Sequence, residues 1–305
     1  MSWNQKPNRL AGWFAGVNRA CRVWAVAGLL SGTFLGSGCV VAGREGPLVE
    51  HPFAGVDLFT ETQSQPPQKL FVARIDLKNP RVHLRVARGG ADPDGEGPWE
   101  TTLLQPTRIA VREHFDLVVN GDFFLANNVK DAEGKKAGYR AGQWGATVGA
   151  AVTDGVAWSF STNARPCFVV KSDHRAAIEM RSHAQPGDWE VVGGNTLLVM
   201  GGKAVPHKEK PRHPRTVVGL SAEGTQLTIL VVDGRKPGVA TGMTYAELSE
   251  VMLRLGCTQA LNLDGGGSSV LAVRDSAKGN MKIVNHPSDG SERAVADVLG
   301  LYVSP

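Results

Sequence analysis

Cysteine is scarce in this sequence, with 4 in 305 residues, too few for a disulfide-dense scaffold. Aromatic residues make up only 7% of the chain, yet hydrophobic residues reach 42% and are spread along most of it, which argues against disorder. The first 39 residues have no acid. They hold Lys6, Arg9, Arg19 and Arg22, and so carry the whole formal charge of +4. Residues 40–305 then balance 29 basic against 29 acidic side chains. Such a neutral body lacks the electrostatic footprint of a nucleic-acid binder, and nucleic acid is not an expected partner. Zinc and calcium signatures are also missing: there is no C-x-x-C, H-E-x-x-H or EF-hand loop. No cofactor is therefore expected, although a divalent cation stays open through oxygen ligands. The lack of a G-x-S-x-G elbow disfavours a serine hydrolase.

The longest uncharged apolar run, Val23 to Gly38, has about 16 residues, fewer than the roughly 20 a membrane-spanning helix needs. Basic residues before it and small residues at its end make residues 1–38 an expected export signal. Leu35-Gly36-Ser37-Gly38-Cys39 resembles a bacterial lipobox, with the leucine one place too far upstream. Cys39 is the expected lipidation site, and an ordinary cleaved signal or an uncleaved anchor stays open. In each case the body works outside the cytoplasm, in the periplasm or cell envelope, with the membrane as a partner through an N-terminal lipid or signal anchor. Cys167 and Cys257 remain, either as a disulfide or as two buried thiols.

Residues 39–68, rich in Gly, Pro, Gln and Thr, read as a lipid-proximal tether and lead-in, with regular structure from about Leu70. Phe71 to Leu77 and Val82 to Val86 alternate apolar and polar side chains about Asn79-Pro80, the pattern of a hairpin. A short helix is expected around Ile109 to His114, then a buried strand, Leu117 to Val119, ending at Asn120. Further strands are expected over 147–152, 156–160, 168–170, 189–192 and 196–200. Arg215 to Leu220 and Gln226 to Val232 form a hairpin about Glu223-Gly224. From Thr244 to Gly256 the sequence predicts a helix. Thr244 and Glu247 make a capping box, Leu248, Val251, Met252 and Leu255 one apolar stripe, and Gly256 a left-handed stop. A strand, Ala260 to Leu263, follows at once. The expected fold is α+β: a single mixed, strand-rich domain over 69–305, with at least one helix packed on the sheet and long functional loops.

Polar residues bunch at strand ends beside those loops, where a rigid sheet can place reactive groups. Asn120-Gly121-Asp122-Phe123-Phe124 is one cluster, which taken alone reads sooner as an Asn-Gly-Asp turn with two core phenylalanines than as a site. His213-Pro214-Arg215-Thr216 is a second, its Arg a planar fork suited to phosphate. Asp233-Gly234-Arg235 ends the partner strand, so Arg215 and Asp233 are expected side by side. The fourth is Asn262-Leu263-Asp264-Gly265-Gly266-Gly267-Ser268-Ser269. Three glycines leave backbone amides uncovered toward an anion, and Asp264 stands where proton transfer to a bound group is feasible. Neither a Walker loop nor a Rossmann fingerprint fits this spacing. Glu292-Arg293 precedes the last strand.

In this order the clusters resemble the phosphodiester glycosidase family, from about Pro52 to the C-terminus. Asn120-Gly121-Asp122-Phe123-Phe124 is similar to the family's Asn-Gly-Gly-Phe-Phe, with Asp122 as a departure. The resemblance implies an exported hydrolase that cleaves the bond between a sugar's anomeric carbon and a phosphodiester oxygen, acting on a glycan phosphodiester. In that reading Arg215, Arg293 and Arg235 hold the phosphoryl group, and Asp264 and Asp233 are the catalytic carboxylates. Asn120, Asp122, Asn262, His213, Thr216, Ser268, Glu292 and the amides of Gly265, Gly266 and Gly267 contact substrate. Three rivals stay open. One is a non-catalytic binder of phosphorylated surface polysaccharide, assisting exopolysaccharide export, and another a glycosidase acting on non-phosphorylated glycosides. The third is a divalent-ion phosphodiesterase using Asp122, Asp233 and Asp264. Sugar specificity is expected in the loops at 91–100, 125–144, 201–212 and 275–291.

Overall fold

The computed structural model describes residues 48–127, 138–208 and 211–305. The expected export signal and Cys39 lie outside them. Gly46–Pro305 forms one unit, and the structure as described is 46% strand and 8% helix, which agrees with the strand-rich α+β expectation.

Many strands carry unbroken apolar runs because they are buried on both faces, and alternation sends successive residues into different layers. Within strand Arg215–Leu220, Val217 joins a cluster under the long helix, while Val218 joins the central core. Leu117 and Val119 likewise face the central core, and Val118 faces the short helix. The layers follow directly. The central core lies between an eight-stranded antiparallel sheet and two five-stranded ones.

The eight-stranded sheet runs Val49–Phe53, Val56–Ser64, Pro67–Asp76, Gln226–Val232, Arg215–Leu220, Gln259–Asn262, Thr196–Met200, Lys203–Ala204. One five-stranded sheet runs Met281–Ile283, Leu271–Arg274, Leu117–Asn120, Asp297–Val303, Val82–Arg88. The other comprises Val156–Ser159, Ala151–Thr153, Asp188–Gly193, Arg165–Lys171 and Ala176–Arg181. Thr101–Thr102, Trp144–Thr147 and Phe124–Ala126 make a small third layer.

Helix α1, Pro106–Arg112, begins with Pro, whose missing N–H is no loss in a first turn. Helix α2, Tyr245–Arg254, has the expected capping box: Glu247 N donates to Thr244 Oγ1 at 3.2 Å, and Thr244 N to Glu247 Oε2 at 2.9 Å. Leu248, Val251, Met252 and Leu255 pack on Leu70, Val72, Val217 and Leu230. Gly256, at φ +89°, ends the helix as expected.

Several expectations need correction. The Arg215–Leu220 and Gln226–Val232 hairpin forms, with Arg215 opposite Val232. The hairpin expected about Asn79-Pro80 does not. A turn is present, with Val82 N donating to Asn79 O at 3.0 Å, but it carries the chain between sheets. Pro67–Asp76 pairs with Val56–Ser64 and Gln226–Val232, while Val82–Arg88 pairs with Asp297–Val303. Among the described residues regular structure already begins at Val49 rather than near Leu70, because Val56–Ser64 has nine residues in register with the next strand. The strand expected over 147–152 is two, Trp144–Thr147 and Ala151–Thr153, in different sheets. Cys167 and Cys257 are free, buried thiols in separate clusters, and burial, with Asp122 nearby, pushes the Cys167 thiol up to about 12. No helix among the described residues is long and apolar enough to cross a membrane.

Candidate active site

The triple-glycine segment leaves the eight-stranded sheet after Gln259–Asn262 and enters a five-stranded sheet at Leu271–Arg274. It is thus a crossing between sheets, not a hairpin loop. Backbone bonds fix its path: Leu263 N to Thr216 O at 2.9 Å, Asp264 N to Gly121 O at 3.0 Å, Gly266 N to Pro214 O at 2.9 Å. Two other clusters therefore hold the fourth in place. Asn120, fully buried, completes the clasp. Its Nδ2 donates to Asp264 O at 2.8 Å, and its Oδ1 accepts from Thr216 Oγ1 at 2.7 Å and Val270 N at 3.2 Å.

The bare faces of the glycines are where the cations lie. Gly266 has φ +63°, and a Cβ there would stand 2.9 Å from the Arg235 guanidinium. A Cβ at Gly267 would strike Arg293 and Asp289. Gly265 lies against Pro214 and Arg215, with a Cβ there 3.8 Å from Arg215 Cδ. Asp264 sits among them, half-buried, its Oδ1 accepting from Gly265 N at 2.7 Å. Burial pushes its carboxyl up to about 6, against the pull of Ser268, the Gly265 amide, Arg293 and Arg235. A carboxyl of that kind exchanges its proton near neutrality.

Arg293 is oriented by Asp289 Oδ2, at 3.0 Å from Nε and 2.7 Å from Nη2, and lies over the Tyr139 ring at 4.8 Å. Tyr139 meets Phe124 edge-on at 5.1 Å. Arg235 is exposed, at φ +59°, and no carboxylate pairs with it among the described residues. Arg215 is buried over Tyr245 at 4.3 Å, its Nε donating to Met243 O at 3.1 Å. Burial pulls its guanidinium below the usual range. His213 is half-buried beside the two arginines. Burial first, then Arg215 and Arg235, lower its imidazole.

Asp264, the glycines, Ser268, Arg235, Arg293 and the His213–Thr216 block are thus one constellation. The phosphodiester glycosidase family matches residues 114–302, more than half of the chain. The chain belongs to that family. The catalytic domain of zebrafish N-acetylglucosamine-1-phosphodiester alpha-N-acetylglucosaminidase, auto-inhibited by its pro-peptide, superposes with a TM-score of 0.57 at 17% identity, over 86% of this chain and 85% of that one. A Burkholderia pseudomallei protein, named as a candidate for export, gives 0.57 at 18% identity over 78% and 74%. These two likenesses are of fold. An uncharacterized SPbeta prophage-derived protein of Bacillus subtilis, YomE, is 43% identical over 88 residues, and the chain spans 12% of its length.

Other members of the expected set stand elsewhere. Asp233 does not pair with Arg215. Arg215 shares the face of its cross-strand partner Val232, toward α2, and the next residue turns the opposite way. Asp233 is buried, with Oδ1 accepting from Asn285 Nδ2 at 3.2 Å and His286 N at 2.9 Å, and Oδ2 2.9 Å from His286 Nδ1. It fastens the 275–291 loop. Asn262 is also buried, its Nδ2 donating to Asn195 Oδ1 at 3.0 Å and to Leu263 O at 2.6 Å, and so is engaged within the fold rather than at an open face. Glu292 accepts from Thr107 N at 3.0 Å and from the Thr107 hydroxyl, capping α1. Asp122 is buried behind the loop, accepting from Phe123 N at 2.7 Å and Gly149 N at 2.6 Å. Asp122, Asp233 and Asp264 do not gather as a cation cage among the described residues.

Three contributors went unread in the sequence. Asp289 stands four residues before Arg293, a spacing that signals an ion pair. Tyr139 gave no signal outside its loop. Asp297 was visible as a lone acid within Ala294-Val295-Ala296-Asp297-Val298-Leu299.

Proposed function

We propose that this chain hydrolyses the glycosidic bond of sugar-1-phosphodiesters in glycans or cell-envelope polymers. The observation that carries the reading is a single one: a half-buried Asp264 between two guanidinium groups, Arg235 and Arg293, on a loop whose side chains are absent where those cations approach. The arginines suit an anionic group, and their charge offsets the negative charge that grows on a departing phosphodiester oxygen. A phosphodiester leaves readily, so the aglycone needs little protonation. The ionised form of Asp264 then serves at the anomeric carbon, as nucleophile or as base toward water. Arg215, buried behind the glycine loop, adds positive potential, and Asn120 and Thr216 hold the loop in register. The aromatic pair Tyr139 and Phe124 borders the place of the sugar.

Residues 1–38 act in this reading as an export signal and Cys39 as the lipid attachment point, so the substrate is met in the envelope. The Burkholderia neighbour's name is in keeping with export.

The test is to present purified protein with a panel of sugar-1-phosphate diesters and, in parallel, aryl glycosides of the same sugars without phosphate. Release of reducing sugar from the diesters alone is the expected result. Faster cleavage of the plain glycosides would overturn the role of the arginines, and no cleavage of either would reduce the chain to a binder.

A further inference from the structure

Behind the glycine loop lie two carboxyl groups that the proposed reaction does not use. Asp122 and Asp297 are both fully enclosed, at 1% and 0% exposure. They flank one peptide unit: Asp297 Oδ1 accepts from Asp122 N at 2.8 Å, while Asp122 accepts from Phe123 N and Gly149 N. Asp297 Oδ2 is buried with no hydrogen-bond partner among the described residues. An ionised carboxylate left so is costly, whereas a protonated one is tolerated. The same turn reaches the candidate site directly, since Asp264 N donates to Gly121 O at 3.0 Å and Gly121 packs on the Asp297 carboxyl.

We propose that Asp122 and Asp297 form a coupled carboxyl pair that stays uncharged while Asp264 is ionised, and that Asp297 is thereby a positioning residue which limits the negative charge beneath the anion-facing arginines. This rests on the reading of Asp264 as the reacting carboxylate. The electrostatic surroundings agree. Burial pushes Asp122 up to about 7, against the Gly149 and Phe123 amides and Arg165 and with the help of Asp264. Burial, then Asp122, then Asp264 push Asp297 well above the usual range. Cys167, next to Asp122, is a thiol held neutral. Arg88 opposes Asp297 in register but lays its guanidinium over Trp158 at 5.5 Å. Both enclosed carboxyls are therefore expected to release their protons after Asp264, which is half-buried and faces two arginines. Once the pair ionises, new negative charge faces an anionic substrate, and binding weakens before chemistry does.

The experiment follows aspartate carboxyl carbons by NMR across pH in wild type, Asp297→Asn, Asp122→Asn and Asp264→Asn. Asn at 297 keeps the size of the side chain and the acceptor for Asp122 N, so that variant should fold, and Asp122→Asn gives a second view. Two aspartates are expected to keep their protons after Asp264 has lost its own, and their midpoints to move down in Asp264→Asn. Alongside, the alkaline loss of wild-type kcat/KM should lie in KM and be smaller in Asp297→Asn and in Asp122→Asn, each of which leaves one charge where wild type gains two. Titration of Asp122 and Asp297 below Asp264 overturns the pair, whatever the activity. Titration above it, with no sugar phosphodiester cleaved, keeps the pair and sinks the functional reading instead.

Discussion

Two clusters of opposite charge lie at strand ends of this molecule, and they are built on contrary plans. Around Asp188 every charge is consumed. Its Oδ1 lies 2.7 Å from Lys171 Nζ and its Oδ2 2.9 Å from Arg181 Nε, Glu179 closes the ring, and the Asp188 side chain is fully enclosed. Burial pushes the Asp188 carboxyl up, yet Arg181 and Lys171 together hold it below the ordinary value. Around Asp264 the balance is left open. Arg235 has no carboxylate among the described residues, and Asp264 sits above the ordinary carboxylate range. A closed ring fastens two strands to each other; an open one keeps charge free for a ligand.

The contrast breaks most sharply at Asp264. Asp264→Asn should lower turnover of a sugar phosphodiester about a hundredfold to ten-thousandfold, with an unchanged circular dichroism spectrum. In wild type, activity should rise with pH through about 6, as the carboxyl ionises. Rate profiles settle both points. Asp188→Ala should do the reverse, costing about 1.5–3 kcal/mol of stability in urea titrations because two half-buried cations lose an enclosed partner and keep only Glu179, while KM for the diester stays put. The Asp188 contribution is present at neutral pH and is lost as pH falls through its lowered folded value, so wild type and variant should converge in acid. The smallest effect is expected from Arg235→Ala, which should raise KM about tenfold, the lower end of a charge-assisted hydrogen bond, with little change in melting temperature. A stability loss there as large as at Asp188 would erase the distinction.

What could be read in advance follows the range of the interactions. The capping box of α2 and the Arg215–Val232 hairpin involve residues three to about seventeen apart, and both formed as expected. The Asn79-Pro80 turn also formed, but its flanking strands pair elsewhere, one with Val56–Ser64 just before it and both with strands more than a hundred residues away. Local alternation marks a strand without naming its neighbour. The site divides in the same way. Asp264 and its glycines stood out because no simple turn needs three glycines before two serines. Asp233 stood out equally, yet its partners, Asn285 and His286, come from a loop some fifty residues on. Asp297 was hidden by its setting in an apolar strand, since its meaning arises only once the chain sets Asp122 against it.

The two arginines of the open cluster come from separate layers. Arg235 follows strand Gln226–Val232 of the eight-stranded sheet, and Arg293 leads into strand Asp297–Val303 of a five-stranded one. A phosphodiester held by both would act as a rivet between layers that are otherwise joined mainly by apolar packing. Slippage of one sheet over the other would then be resisted whenever the rivet is in place, and occupancy of the site would be felt as rigidity throughout the sandwich.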